Sequence, residues 1–468
     1  MMRMSDPSIQ DSPSAPLNSG LASSLPPPAA ATGGRSPRFT LFIVFLVVVI
    51  DLLGFGIVLP LLPIYGDLYV GHLIDSNSHW VGAIVGSLLA IFSLMQFIFA
   101  PIWGRVSDRV GRRPILLLGL AGSVIFYALF GFGSDLPAAE WAGLALTLLF
   151  IARAGAGVAG ATIATAQAVI ADCTPPERRK HGMALIGMAF GIGFTFGPLV
   201  AVASLRFFPL HKGVVGYFAA GLSLIALILG MVLLPETRRF SEAPPLTRKW
   251  FDWNAVRFAL SNPAVGPVVW VFFLTTLGFT MFEVTLALLF KDAMKIGIED
   301  NGYLFAYIGF VLALAQGVLY RRLAKRVSEP TFMAVGIVLM GLGMASLAGV
   351  SWAAIQPLEY RLEYRTLFTL LLVSLTVAVT GFALLTPSAQ ALVSRRSDPE
   401  KQGEILGVNQ SASAMARIVG PLISLPLYFV NHLLPYLLGG VLMLLMLALI
   451  PRIRRGKDAF TPTAARME

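Results

Sequence analysis

The sequence predicts an all-α polytopic membrane protein with twelve transmembrane helices in two pseudo-symmetric six-helix halves, and three observations lead there. Of 468 residues, 56% are hydrophobic and 13% charged, with a mean hydropathy of +0.76, a balance too apolar for a soluble globule of this length. The apolar residues gather into twelve runs of bilayer-spanning length. The basic residues fall between those runs, alternately dense and sparse, as the positive-inside rule requires of a chain crossing a membrane repeatedly.

Residues 1–38 are rich in Ser, Pro and Ala, include "LPPPAAATGG", and read as a disordered tail. They are not a signal peptide, because no apolar core follows Met1-Met2-Arg3 before residue 39. Apolar spans follow at about 39–64, 80–103, 114–134, 141–170, 182–205, 214–234, 265–290, 302–320, 331–350, 366–392, 404–430 and 433–450. The longest polar interruption, at 235–264, reads as a linker dividing a first half (39–234) from a second (265–450). Residues 451–468 form a basic tail.

With the N-terminus inside, Arg206, Lys212, Lys291, Lys295, Arg361 and Arg365 fall in outer loops and Arg153 and Arg417 inside spans. Every other Lys and Arg clusters on the inner side, which predicts both termini in the cytoplasm. These short clusters between apolar spans do not form the soluble basic face that nucleic-acid binding needs. A single Cys173 excludes an intramolecular disulfide framework.

The halves carry matching residues. Leu53-Gly54-Phe55 recurs as Leu277-Gly278-Phe279, and Leu94-x-Gln96 as Leu314-x-Gln316. Arg109-Val110 recurs as Arg326-Val327, and Pro176-Glu177 with Gly197-Pro198 as Pro399-Glu400 with Gly420-Pro421. Repeated six-helix halves are an architecture of secondary transporters, whose substrate site lies at mid-membrane between the halves. Phe55, Gln96 and Gln316 are the cavity candidates.

Inside span 4, "RAGAGVAGAT" (153–162) contains G-x-G-x-x-G at Gly155, Gly157 and Gly160. That fingerprint holds a dinucleotide only where a strand turns into a helix N-terminus, whereas here it lies within an unbroken apolar run. Small residues at helical spacing let two helices approach closely in lipid, so the glycines predict packing and no cofactor. No nucleotide-binding loop or metal-ligand cluster stands elsewhere, and the five histidines fall in loops or at span ends. Energy for transport must then come from an ion gradient, and the chain is not read as an enzyme.

Buried charge marks the candidate coupling residues. Asp51 lies about 13 residues beyond Arg38, roughly 20 Å into a core of roughly 30 Å. A carboxylate there costs several kcal/mol unless protonated, hydrated or paired, which suggests a proton or substrate role or else a polar cap on a helix kinked near Gly54, Gly56 and Pro60. Arg153 is a permanent cation in span 4 whose expected partners are Asp51, backbone carbonyls near that kink, and water; a structural anchor and proton coupling are both open. Glu283 in span 7 and Arg417 in span 11 are the second half's charges.

Five stretches together are recognisable. "GRVSDRVGRR" (104–113) resembles the signature loop between helices 2 and 3 of the major facilitator superfamily. "LMQFIFAPIW" and "DLLGFGIVLPLLP" look like the twelve-helix drug:proton antiporters, the tetracycline efflux group among them. "RAGAGVAGAT" resembles their fourth-helix motif, and "GIGFTFGP", with Gly193, Gly197 and Pro198, their fifth-helix antiporter motif. This chain departs from the group in two places: Ala201-Val202 stands where the fifth-helix motif usually has two glycines, and span 8 lacks the histidine that tetracycline pumps share.

The resemblance implies a multi-pass inner-membrane exporter exchanging protons for a small, largely apolar drug-like or metabolite substrate, working as a monomer in lipid. The alternatives are a proton-coupled nutrient importer and a non-transporting receptor on the same fold. In the loop, Gly104 and Gly111 are expected to turn tightly, Asp108 to face the N-terminus of helix 11, and Arg109, Arg112 and Arg113 to reach Asp172. These contacts would hold the cytoplasmic side shut. The second half has Lys325 where the first has Asp108, so this latch is expected to be asymmetric.

Overall fold

Apolar runs in a medium without water must satisfy every backbone polar group internally, and helices do so within one segment. The structure, a computed structural model, describes residues 36–75, 78, 80–174, 179–238, 257, 259–324, 326–357, 362–397 and 402–456. Among these no strand occurs, and 12 helices are long and apolar enough to cross a membrane.

The first half comprises α1 (Pro37–Val58 continued by Leu62–Gly71), α2 (Trp80–Val110), α3 (Arg112–Asp135), α4 (Ala138–Gly160 continued by Ile163–Cys173), α5 (Arg179–Phe207) and α6 (Val214–Leu233). The second comprises α7 (Gly266–Asp292), α8 (Ile298–Leu314, a π-helical stretch Ala315–Tyr320, then Arg321–Leu323) and α9 (Glu329–Ala354). It is completed by α10 (Tyr364–Arg396), α11 (Gln402–Val430) and α12 (Leu434–Leu447 with Ile450–Arg455). Of the expected tails, residues 36–38 and 451–456 are described, and 37–38 and 451–455 belong to helices; the rest of the tails and most of the linker lie outside the described residues.

Two helices are broken where the chain lacks a regular bond partner. α1 breaks beside Pro60, which has no N–H to give, as its kink signal predicts. α4 breaks at Ala161–Thr162, where the sequence suggests an unbroken helix. There α2 supplies the missing donors: Trp103 Nε1–H bonds to the Val158 carbonyl at 2.8 Å and Gln96 Nε2–H to that of Gly160 at 3.2 Å.

The halves meet along two seams, α2 against α11 and α5 against α8. An even number of crossings leaves both described chain ends on one side, here the terminal side; the other is the distal side. Toward the distal side the seams are tight. A Cβ on Gly82 would stand 2.6 Å from the Leu425 carbonyl oxygen, one on Gly86 2.6 Å from that of Pro421, and one on Gly309 2.7 Å from Thr195 Cα. Toward the terminal side Gly104, Gly191, Gly317 and Gly407, on the same four helices, have nothing within 4 Å of such an atom. The halves therefore touch distally and part toward the terminal side.

Candidate functional site

At mid-depth in the first half, glycines let backbones come close and so decide where the charges go. A Cβ on Gly56 would collide with the Gly193 carbonyl, and one on Gly197 would stand 2.7 Å from Gly56 Cα, so the α5 motif is the α1–α5 crossing. Pro198, inside α5, follows that crossing directly. Gly157 of α4 abuts the Phe92 backbone of α2, with Met95 Cβ 2.9 Å from its missing side chain. Gly155 faces the Phe126 ring. The fingerprint glycines thus serve helix crossings, as their context in the sequence suggests.

Arg153 lies one turn before Gly157 on the same face of α4, so it is carried toward α2 rather than α1. It is 3% exposed, with its guanidinium carbon 4.3 Å from the Phe92 ring centroid and 5.9 Å from that of Phe55. The expected Asp51 partnership is absent: among the described residues no carboxylate lies within ion-pair distance, and Nε and Nη1 have no hydrogen-bond partner. Instead the cation rests on ring faces, a contact worth about 2 kcal/mol when desolvated. Phe55 packs on Phe92 and Phe194 at centroid distances of 5.0 and 5.9 Å, completing an aromatic wall.

Asp51 is satisfied differently. The Ser123 hydroxyl of α3 donates to its Oδ1 at 2.9 Å. Gly54, one turn on, admits the Tyr127 ring, whose Cε2 would stand 3.0 Å from a Cβ there. Tyr127 is within electrostatic reach of both Asp51 and Arg153, and so links two charges that do not touch.

The second half repeats the plan loosely. Phe279, the counterpart of Phe55, stacks on Phe382 at 3.8 Å and 15°. Half-buried Glu283 lies one turn further along α7, within electrostatic reach of Arg417 on α11 but not in ion-pair contact. Gln316, the counterpart of Gln96, sits in the π-helical stretch, a distortion frequent at functional positions.

The signature loop needs several corrections. Gly104 is not a turn: it lies inside α2, which runs unbroken to Val110. The single turn residue is Gly111, with φ of 118°. Being the cap of α3 without a side chain, it leaves the first N–H groups of that helix open. Glu236 fills the gap, its Oε1 accepting from Arg112 N at 2.9 Å and its Oε2 from Arg113 N at 3.1 Å. Oε1 also accepts from Thr237 N and Arg238 N. Sequence reasoning missed Glu236, although a carboxylate at a helix N-terminus is the pattern the helix dipole favours.

Only Arg112 of the three arginines meets Asp172, at 3.4 Å from Nε, while its Nη1 pairs with Asp108 at 2.7 Å. Arg113 bonds the Met231 carbonyl, and Arg109 is exposed, with no ion pair among the described residues. Asp108 pairs here across the Gly111 turn with the first residue of α3, on the side where the halves have parted, and among the described residues it has no ion pair with α11. The first three side chains of α11, and Lys325, lie outside the described residues. In the second half Glu329 pairs with Arg395. By the repeat these stand where Arg112 and Asp172 do, so the brace recurs with its charges exchanged.

Comparison with known proteins agrees with the twelve-helix fold. A model of the Major Facilitator Superfamily matches residues 44–421 and 317–466. The chain is 31% identical to the class E tetracycline resistance protein of Escherichia coli over 400 residues, covering 83% of this chain and 88% of that one. It is 29% identical to major facilitator superfamily domain-containing protein 10 of Bos taurus, covering 83% and 86%. The solved human organic anion transporter MFSD10 (TETRAN) is similar in fold, with a TM-score of 0.60 at 24% identity, covering 89% of this chain and 100% of that one. So is a bacterial homologue of the human lysosomal transporter Spinster in an inward-facing, unoccupied conformation, at 0.65 and 13%, covering 91% and 99%.

Proposed function

Because the chain belongs to the major facilitator superfamily, we propose that it is a proton-coupled exporter of a small, largely apolar substrate, working by alternating access in the inner membrane with both termini in the cytoplasm. The observation that carries the reading is the pair of seams, tight distally and parted toward the terminal side. On this reading the structure is the inward-facing member of two access states. The protein needs no cofactor and works as a monomer with protons, substrate and lipid.

A proton entering down 100 mV supplies about 2.3 kcal/mol, and each unit of pH difference adds about 1.4. Asp51, held by one hydroxyl and not by Arg153, is the acceptor we favour, with Glu283 beside Arg417 as the second-half counterpart. Protonation removes a charge at mid-membrane, and substrate binding is coupled to the opposite-facing state. The aromatic wall of Phe55, Phe92 and Phe194 suits an apolar, planar cargo. A second reading of the cargo is favoured by Arg153, a cation that meets rings and no carboxylate: an anionic group on an aromatic body would complete it, a class in keeping with the human relative described as an organic anion transporter.

The test is Asp51→Asn in proteoliposomes. The variant is expected to insert and bind substrate while losing proton-driven transport; wild-type pH dependence of driven efflux removes Asp51 from the mechanism.

A further inference from the structure

The distal closure holds an ion pair that neither the motifs nor the coupling residues account for. Lys291 in the last turn of α7 reaches across to Asp67 in the outer piece of α1, Nζ to Oδ2 at 2.6 Å. Among ion pairs between described residues this one joins the two halves, the others lying within one half. Arg206 of α5, 5.7 Å from the Tyr303 ring of α8, bridges the halves nearby.

The next residue, Asp292, carries a second carboxylate in the same half, within electrostatic reach of both Lys291 and Asp67 but not in ion-pair contact with the lysine. Asp292 is fixed in place: the buried Tyr428 hydroxyl donates to its Oδ2 at 3.1 Å, and the Tyr428 ring stacks on His432 at 4.6 Å. Lys291 thus holds a carboxylate on the opposite half, while the neighbouring carboxylate of its own half is oriented by Tyr428.

Resting on the alternating-access reading, we propose that Lys291 is a two-position distal latch, paired with Asp67 while that side is shut and passed to Asp292 when it opens. An ion pair broken without replacement leaves two uncompensated charges and disfavours opening. A second acceptor in the same half keeps the two states close in free energy, which is what a switching element requires. Asp67 then stabilises the distally closed state and Asp292 the open one, so the two carboxylates act in opposite directions.

The experiment uses the full chain in lipid nanodiscs, with Cys173→Ser and spin labels at Leu73→Cys and Ile355→Cys, exposed positions at distal helix ends of the two halves. Asp67→Asn is expected to raise the long-distance population about twofold to fivefold, the range for a part-exposed ion pair, and Asp292→Asn to lower it by a similar factor. Asn keeps an acceptor for Tyr428, so the second variant removes charge without removing that hydrogen bond. Exchange of the pair, Asp67→Lys with Lys291→Asp, is expected to restore the closed population lost in Asp67→Asn. If both carboxylate variants shift the distribution the same way, or neither shifts it while the wild type alternates, the latch is wrong. A wild type with one unchanging distance at every pH and proton gradient overturns alternation and the latch together.

Discussion

Gly197 and Gly191 lie on one helix, two turns apart, and their surroundings predict opposite responses to the same added methyl group. At Gly197 a Cβ would stand 2.5 Å from the Gly56 carbonyl carbon, 2.7 Å from its Cα and 2.9 Å from Ile57 N, all of them backbone atoms of α1. Carbon contacts become favourable only near about 3.5 Å, so α1 and α5 must separate by about 1 Å, with no side chain at the crossing able to yield. Overpacking of this kind costs about 1–3 kcal/mol, against which the higher helix propensity of alanine offsets at most about 1 kcal/mol. At Gly191 the same atom meets nothing within 4 Å, so only the propensity gain remains. Gly197→Ala is therefore expected to lose about 1–2 kcal/mol, and Gly191→Ala to lose nothing. Reversible unfolding in mixed micelles, followed by circular dichroism against detergent composition, measures both. A Gly197→Ala protein as stable as the wild type, or two variants equally destabilised, refutes the crossing.

Further variants separate the loop from the core. Glu236→Gln removes the charge that collects four backbone N–H groups around the start of α3, and is expected to cost about 1–2 kcal/mol in the same unfolding assay, with faster amide exchange at Arg112 and Arg113. Arg153→Lys keeps the cation but loses the planar face that lies on Phe92; folding is expected to survive while coupled transport falls, as paired unfolding and flux measurements read. Gly407→Leu places bulk where the terminal side is open, so the protein is expected to fold and bind substrate yet fail to close, seen as persistent modification of a cysteine introduced at Gly104.

The fold was legible because its determinants are local and periodic. Length and hydropathy of each run mark a helix, and the break in α1 falls where Gly54, Gly56 and Pro60 together signal a kink, although single prolines such as Pro101 and Pro387 stay inside unbroken helices. The break in α4 was not legible, because nothing at Ala161 or Thr162 forbids a helix; it is tolerated only because Gln96 and Trp103 arrive from another helix. The same reason explains Arg153. Its sequence context names a buried cation, and a buried cation suggests a carboxylate, but Gly157 brings α2 to within reach and the rings of Phe92 and Phe55 take the place of Asp51. Asp51 itself turns to Ser123, an ordinary residue of an apolar run. Glu236 looked like one more charge at the edge of a polar linker. Its role depends on Gly111 being a cap without a side chain, a relation between segments distant in the chain.

Counter-directed flux in proteoliposomes tests the central claim most directly. Purified full-length protein, reconstituted with a pH-sensitive dye in the lumen, is given an aromatic, amphipathic test substrate on one side and a proton gradient of opposing direction. The account predicts uphill movement of substrate with protons crossing the other way, abolished by dissipating the gradient and by Asp51→Asn. Substrate and protons moving in the same direction, or substrate bound without any flux, contradicts it.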